Sequence, residues 1–180
     1  MCRATRRNST SDFRLVEVDL RHRHESSQVN LILSRPSSTV TSTTSPEQIH
    51  RLVNELYAAW SLHEPQRIDA IFTDDGIYND VAGGKDHRGK EQIKQLLRAA
   101  FAWAPDFRVT MTSLIVGDHS AATQWISEGI QTGPIGDLPA SGNSFRLRGA
   151  SILTFRDGKI AKVTDYYDMA TFLRQLGAMS

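Results

Sequence analysis

The dipeptide Asp157-Gly158, set between two stretches of alternating polarity, constrains this chain more than any other feature. A two-residue hairpin turn needs positive φ at both central positions, and Asp followed by Gly supplies it at little steric cost. Phe155 therefore ends one strand, and the run from Lys159 to Tyr167 is the strand that returns beside it. Successive strand side chains point to opposite faces. Ala161, Val163 and Asp165 then share one face, and Lys162 and Thr164 the other. With Lys162 in water, Asp165 points inward. A carboxylate on an apolar face is costly unless it is paired, protonated or used, which makes Asp165 the first candidate for chemistry. The competing role is a carboxylate that caps backbone or bonds a core tyrosine.

The rest of the chain supplies the scaffold. Ser45-Pro46-Glu47-Gln48 is a helix start, with Ser as cap, Pro first and Gln placed to close a capping box. Ile49, Leu52, Val53, Leu56, Tyr57 and Trp60 follow at helical spacing, to an end near Leu62. A shorter helical piece covers Gln66 to Phe72, and Thr73-Asp74-Asp75-Gly76 breaks it. A short strand from Ile77 to Val81 places Tyr78 and Asp80 on one face, and parity alone does not say which face is inside. Ala82 to Gly89 is a Gly-rich loop without the Lys-Ser/Thr ending of a phosphate-binding loop. A third helix from Lys90 carries Ile93, Leu96, Leu97, Ala100 and Phe101, and ends by Pro105.

Beyond it the period changes to two. Phe107, Val109, Met111, Ser113 and Ile115 alternate with polar residues, and a turn at Gly117-Asp118 leads to a strand from Ala121 to Gln131. After a loop over 132–143, Phe145, Leu147, Ser151, Leu153 and Phe155 face inward on a long strand. Asp168 caps a last helix that Gly177 ends. Helices first and antiparallel strands afterwards make an α+β domain over 45–180, its helices packed on a strongly curved antiparallel sheet that encloses an apolar pocket.

Residues 1–44 differ. Seven arginines stand against four acids there, and Ser and Thr dominate the end, so this segment is expected to be a flexible basic extension. A net charge of +1 gives no field that attracts nucleic acid or an anionic membrane. No apolar run is long enough to span a bilayer, and the start lacks the apolar core of a secretory signal. One cysteine, Cys2, leaves no internal disulfide and fits a cytoplasmic protein. His63, His87 and His119 sit in turns or loops without metal-ligand spacing, so no metal is expected.

Several strings carry a likeness: Trp125-Ile126-Ser127-Glu128-Gly129-Ile130-Gln131-Thr132-Gly133, Leu138-Pro139-Ala140-Ser141-Gly142, Phe155 to Ile160, and Asp165-Tyr166-Tyr167-Asp168. With the element order, they resemble the nuclear transport factor 2-like (NTF2-like) cone of ketosteroid isomerase, scytalone dehydratase and limonene epoxide hydrolase. Within it the chain is most similar to the SnoaL-like polyketide cyclases, also called ester cyclases. The resemblance implies that Asp165 is the aspartate acting as acid and base in ring closure, with no cofactor. Gln131 stands where cyclases commonly carry a His, and Trp125 and Ser127 where the epoxide hydrolase carries an Arg and an Asp. Asp80 matches the isomerase base, Leu56 with Tyr57 beside it its Tyr, and Ser151 its protonated Asp. The candidate site is thus catalytic Asp165, with Gln131, Ser127, Trp125, Tyr57, Trp60, Tyr78, Asp80, Phe101 and Ser151 lining a pocket for a small hydrophobic organic ligand. The expected activity is intramolecular aldol closure. The alternatives are a non-catalytic binder on the same fold, or an isomerase, hydratase or hydrolase of a steroid or terpenoid. Ile126, Ile130 and Ile152 on the outer sheet face point to a homodimer.

Overall fold

The computed structural model describes residues 44–179, so the extension expected over 1–44 lies, but for Thr44, outside the described residues. Helix α1 (Pro46–Ser61) opens on the expected capping box: the Gln48 backbone N–H donates to Ser45 Oγ, and Gln48 Oε1 accepts from the Ser45 N–H. Its stripe of Ile49, Leu52, Val53 and Leu56 is buried. A 3₁₀ turn (Pro65–Arg67) leads into the one-turn helix α2 (Ile68–Ile71). Helix α3 (Gly89–Trp103) buries Ile93, Leu97 and Ala100. Helix α4 (Met169–Gln175) is capped by Asp168, which accepts from the Thr171 N–H, and buries Phe172.

Six strands form one open sheet: β1 (Phe72–Asp80), β2 (Lys85–Arg88), β3 (Arg108–Val116), β4 (Ser120–Ile130), β5 (Ser144–Arg156) and β6 (Lys159–Tyr167), in the order β2-β1-β6-β5-β4-β3. The α+β architecture is as expected. Every pairing is antiparallel except β1 with β6, which run parallel. The β5–β6 hairpin turns through Asp157 (φ 53°) and Gly158 (φ 70°), both in the left-handed region that such a turn demands.

Local geometry departs from the sequence pattern where the ladder slips. The helical piece ends at Ile71, just before Thr73 to Gly76 as expected, but those residues already belong to β1, whose pairing with β6 shifts register between Phe72 and Ile77. The supposed loop over 82–89 is a turn plus β2, which pairs back on β1. In β3 a register shift between Met111 and Ser113 flips the parity, so Leu114 and Val116 pack inward and Ile115 is 68% exposed. A shift at the start of β6 buries Ile160 rather than Ala161, and parity resumes at Val163 and Asp165. The slips in β3 and β6 each insert one residue and so exchange the two faces.

The apolar side chains gather in two clusters. The larger joins α1, α2 and α3 to Phe72, Leu153, Phe155, Ile160 and Val163. The smaller joins Ala104, Phe145, Leu147, Phe172 and Leu176. Members of both line one interior cavity. Among the described residues, no helix is long and apolar enough to cross a membrane.

Candidate functional site

The cavity has a volume of about 790 Å³ and is walled mainly by apolar and aromatic side chains, among them Leu56, Trp60, Trp103, Phe107, Leu147 and Phe172. Asp165 lies in its wall, only 9% exposed. Tyr78 donates to Asp165 Oδ2 at 2.5 Å and Ser151 Oγ donates to Oδ1 at 2.6 Å. Ser151 is itself oriented by Trp125, whose Nε1–H donates to Ser151 Oγ at 2.9 Å. Burial pushes the Asp165 carboxyl up to about 6, while the bonds from Ser151 and Tyr78 pull it down and nearby Asp80 pushes it up. A carboxylate with that proton affinity is suited to exchange protons near neutral pH. Each of its oxygens keeps a free lone pair beside the bond it accepts.

A further hydroxyl group, that of Tyr57, belongs to the same wall. The Tyr57 hydroxyl lies 2.7 Å from Thr123 Oγ1, and burial raises its phenol to about 12 against the opposing bonds from Thr123 and Ser151. Burial, reinforced by the Asp165 carboxylate, holds the Tyr78 phenol well above its ordinary value. Both tyrosines stay protonated at neutral pH and serve as donors. Asp80, also in the wall, accepts from the Gly83 N–H at 2.8 Å and from Tyr167 OH at 3.3 Å.

The structure brings together Asp165, Ser151, Trp125, Ser127, Tyr57, Trp60, Tyr78 and Asp80 around the cavity. Two expected members fall elsewhere. Gln131 is fully buried, and its amide is spent on the 132–143 loop: Nε2 donates to the Gly133 and Pro139 carbonyls, and Oε1 accepts from the Ser141 N–H and Oγ. The hydrogen-bond donor to substrate expected there is instead a loop anchor. Thr132 and Gly133 also donate to the Trp103 carbonyl, so the loop is tied to the end of α3. Phe101 stands behind the cavity wall, against Trp60 and Phe107, and stacks on His63 with ring centroids 4.0 Å apart.

Gly149 gives Trp125 its place. A Cβ there would meet the indole Cζ2 at 2.2 Å, and an indole is too rigid to yield cheaply. Gly149→Ala is expected to cost about 1–3 kcal/mol and to turn Trp125 away from Ser151. The checks are thermal unfolding and near-ultraviolet circular dichroism, with an unchanged tryptophan spectrum as the contrary result.

A shallower depression on the outer face, about 590 Å³, is lined by Asp106, Arg108, Glu128 and Arg146, with an exposed Arg146–Glu128 ion pair and with Asp106 accepting from the Ile130 N–H. Among the described residues there is no cluster of three metal-ligating side chains.

The sequence matches the SnoaL-like polyketide cyclase family over residues 50–176. The chain belongs to that family. TsrD from Streptomyces laurentii is similar in structure, with a TM-score of 0.69 and 26% identity, over 75% of this chain and 98% of that one. A protein of ketosteroid isomerase-like fold from Catenulispora acidiphila, solved in complex with trimethylamine, has a TM-score of 0.63 and 27% identity, over 74% and 95% of the two chains. A protein from Jannaschia sp. CCS1 described as SnoaL-like shares the fold, with a TM-score of 0.68 and 19% identity over 76% and 97%. No curated protein matches the chain.

In this SnoaL-like chain, sequence reasoning missed Tyr167, His87 and Thr123. Tyr167 was legible from parity, two residues beyond Asp165 on the same strand face. His87 becomes a wall residue only because the β1–β2 hairpin sets it opposite Tyr78, and burial lowers its proton affinity. Thr123 lies two residues before Trp125 on the inward face of β4, so the same alternation marks it.

Proposed function

We propose that this SnoaL-like protein is a cofactor-independent acid–base enzyme acting on a small hydrophobic carbonyl compound by intramolecular aldol closure. The observation that carries the reading is Asp165: a buried carboxylate in an apolar cavity, raised to about 6, with two fixed donors and free lone pairs. In the reaction, Asp165 takes a proton from a carbon next to a carbonyl. The resulting enolate attacks a second carbonyl of the same molecule, forming one carbon–carbon bond. The new alkoxide recovers the proton from Asp165, so product and substrate have equal mass. In this reading Tyr57 and Ser127, both on the cavity wall, donate to the enolate oxygen. The apolar cavity folds the substrate, which supplies the proximity term.

The test is incubation with polycarbonyl compounds, followed by product mass and by affinity for the same compounds. Closure leaves the mass unchanged. Gain or loss of water moves the assignment to a hydrolase or hydratase. Tight binding without conversion moves it to the non-catalytic binder, which the role of Gln131 favours, since no second proton carrier stands at the position where cyclases carry His.

The same reading places a second copy of the chain on the outer sheet face, where Ile130 is 42% and Ile152 44% exposed. Sedimentation at micromolar concentration is expected to show a dimer, and a single monomeric species is the contrary result.

A further inference from the structure

The parallel pairing of β1 with β6 sets Asp80 and Asp165 directly opposite each other in register, on the face that lines the cavity. Their tyrosines cross between the strands. Tyr78, on the strand of Asp80, donates to Asp165, while Tyr167, on the strand of Asp165, donates to Asp80. The turn after β1 is shaped around the second carboxylate. Gly83 donates its N–H to Asp80 Oδ1, and a Cβ at residue 83 would lie 2.4 Å from Asp80 Oδ2. Glycine there lets the carboxylate fold back over the turn and stay beside Asp165. A residue that served only to close the turn would need one acceptor, not a second bond from a tyrosine two residues beyond Asp165.

We infer that Asp80 is a positioning residue for proton transfer, acting on the substrate through Asp165 as the fixed negative neighbour that helps Asp165 hold a proton. The inference rests on the acid–base reading of Asp165. A negative charge at the register position opposite Asp165 disfavours the ionised form of Asp165, because like charges in a low-dielectric site repel. The other titratable groups facing the pair do not replace this effect. Tyr57 from α1 and Tyr78 from β1 are neutral donors with raised phenols. His87 of β2 is held toward its neutral form by burial. Lys85 of β2, the register partner of Asp80, lies at the cavity rim but is exposed and in no ion pair among the described residues, so solvent screens it. Helix α3 and helix α4 contribute no charged side chain to the cavity wall.

Two variants separate charge from position. Asp80→Asn keeps an acceptor for Gly83 and removes the charge. Gly83→Ala keeps the charge and moves it, at little cost to folding, because the displaced atoms are the end of a flexible side chain. The experiment is a carbon-13 NMR titration of the Asp165 carboxyl, assigned with Asp165→Asn, alongside the pH profile of kcat/KM. In Asp80→Asn the Asp165 midpoint and the acid limb of the profile are expected to fall together by about half a unit to one unit, the size of a like-charge interaction between neighbouring carboxylates. In Gly83→Ala both are expected to move the same way by less. An Asp165 midpoint that stays in place or rises in folded Asp80→Asn overturns the inference. The two readings fail separately. Full turnover in Asp165→Asn removes the acid–base role whatever the titration shows. An unmoved midpoint with turnover lost in Asp165→Asn removes only the role of Asp80.

Discussion

Replacing Asp165 by Asn is expected to lower turnover by about 10²–10⁴-fold while ligand affinity stays within a few-fold of the parent, since general acid–base assistance has that size and the substitution keeps shape. The amide still accepts from one of Ser151 and Tyr78, so the wall of the cavity is preserved. Stability is expected to move the opposite way. The Asp165 carboxyl titrates near 6 in the fold, against about 4 in an unfolded chain. Between those values the folded state binds more protons than the unfolded one. The parent therefore loses stability as pH rises from about 4 to about 6, and the loss is complete above that window. Asn has no such slope, and near pH 7 the variant is expected to be more stable by up to about 3 kcal/mol. Urea unfolding at pH 4.5 and pH 7 measures the difference. Undiminished turnover, or a variant less stable than the parent at neutral pH, contradicts the role given to this carboxylate.

The second large effect is expected at Gln131. Gln131→Leu fills the same space but removes four side-chain hydrogen bonds, leaving the Gly133 and Pro139 carbonyls and both Ser141 donors to find other partners. At about 1 kcal/mol for each bond lost, with more for groups left buried and unpaired, the cost is about 3–5 kcal/mol. Unfolding midpoints measure it. Amide exchange adds a local readout, with protection falling in 132–143 first. If Gln131 instead acted on substrate, the variant would keep its stability and lose only rate.

These two residues mark what the sequence could and could not say. Asp165 was legible because alternation along a strand and the chemistry of a buried carboxylate reach the same conclusion independently. The helix starting at Ser45, the Asp157-Gly158 turn and the inward set of β5 were legible for the same reason: each rests on short-range geometry that the local residues fix. Gln131 was misplaced because its four partners lie in an irregular loop, and no periodicity encodes which way such a loop folds back. The bulges of β3 and β6 were invisible for a related reason. A one-residue slip is decided by the partner strand, so Ile115 and Ile160 follow the ladder rather than their own alternation. The parallel β1–β6 contact could not be read at all, since the two strands lie at opposite ends of the domain.

That contact also governs when the centre comes into being. Tyr78 and Asp165 are separated by 87 positions, as are Asp80 and Tyr167. Contacts of such long range form late, because the chain loses loop entropy before they reward it. On the ribosome, β1 and its two acceptor and donor groups emerge while their partners are still unmade. The larger core also waits for β5 and β6, which bring Leu153, Phe155, Ile160 and Val163 to the helices, so ligand binding during synthesis reports completion of the core and of the Asp80–Asp165 cluster together.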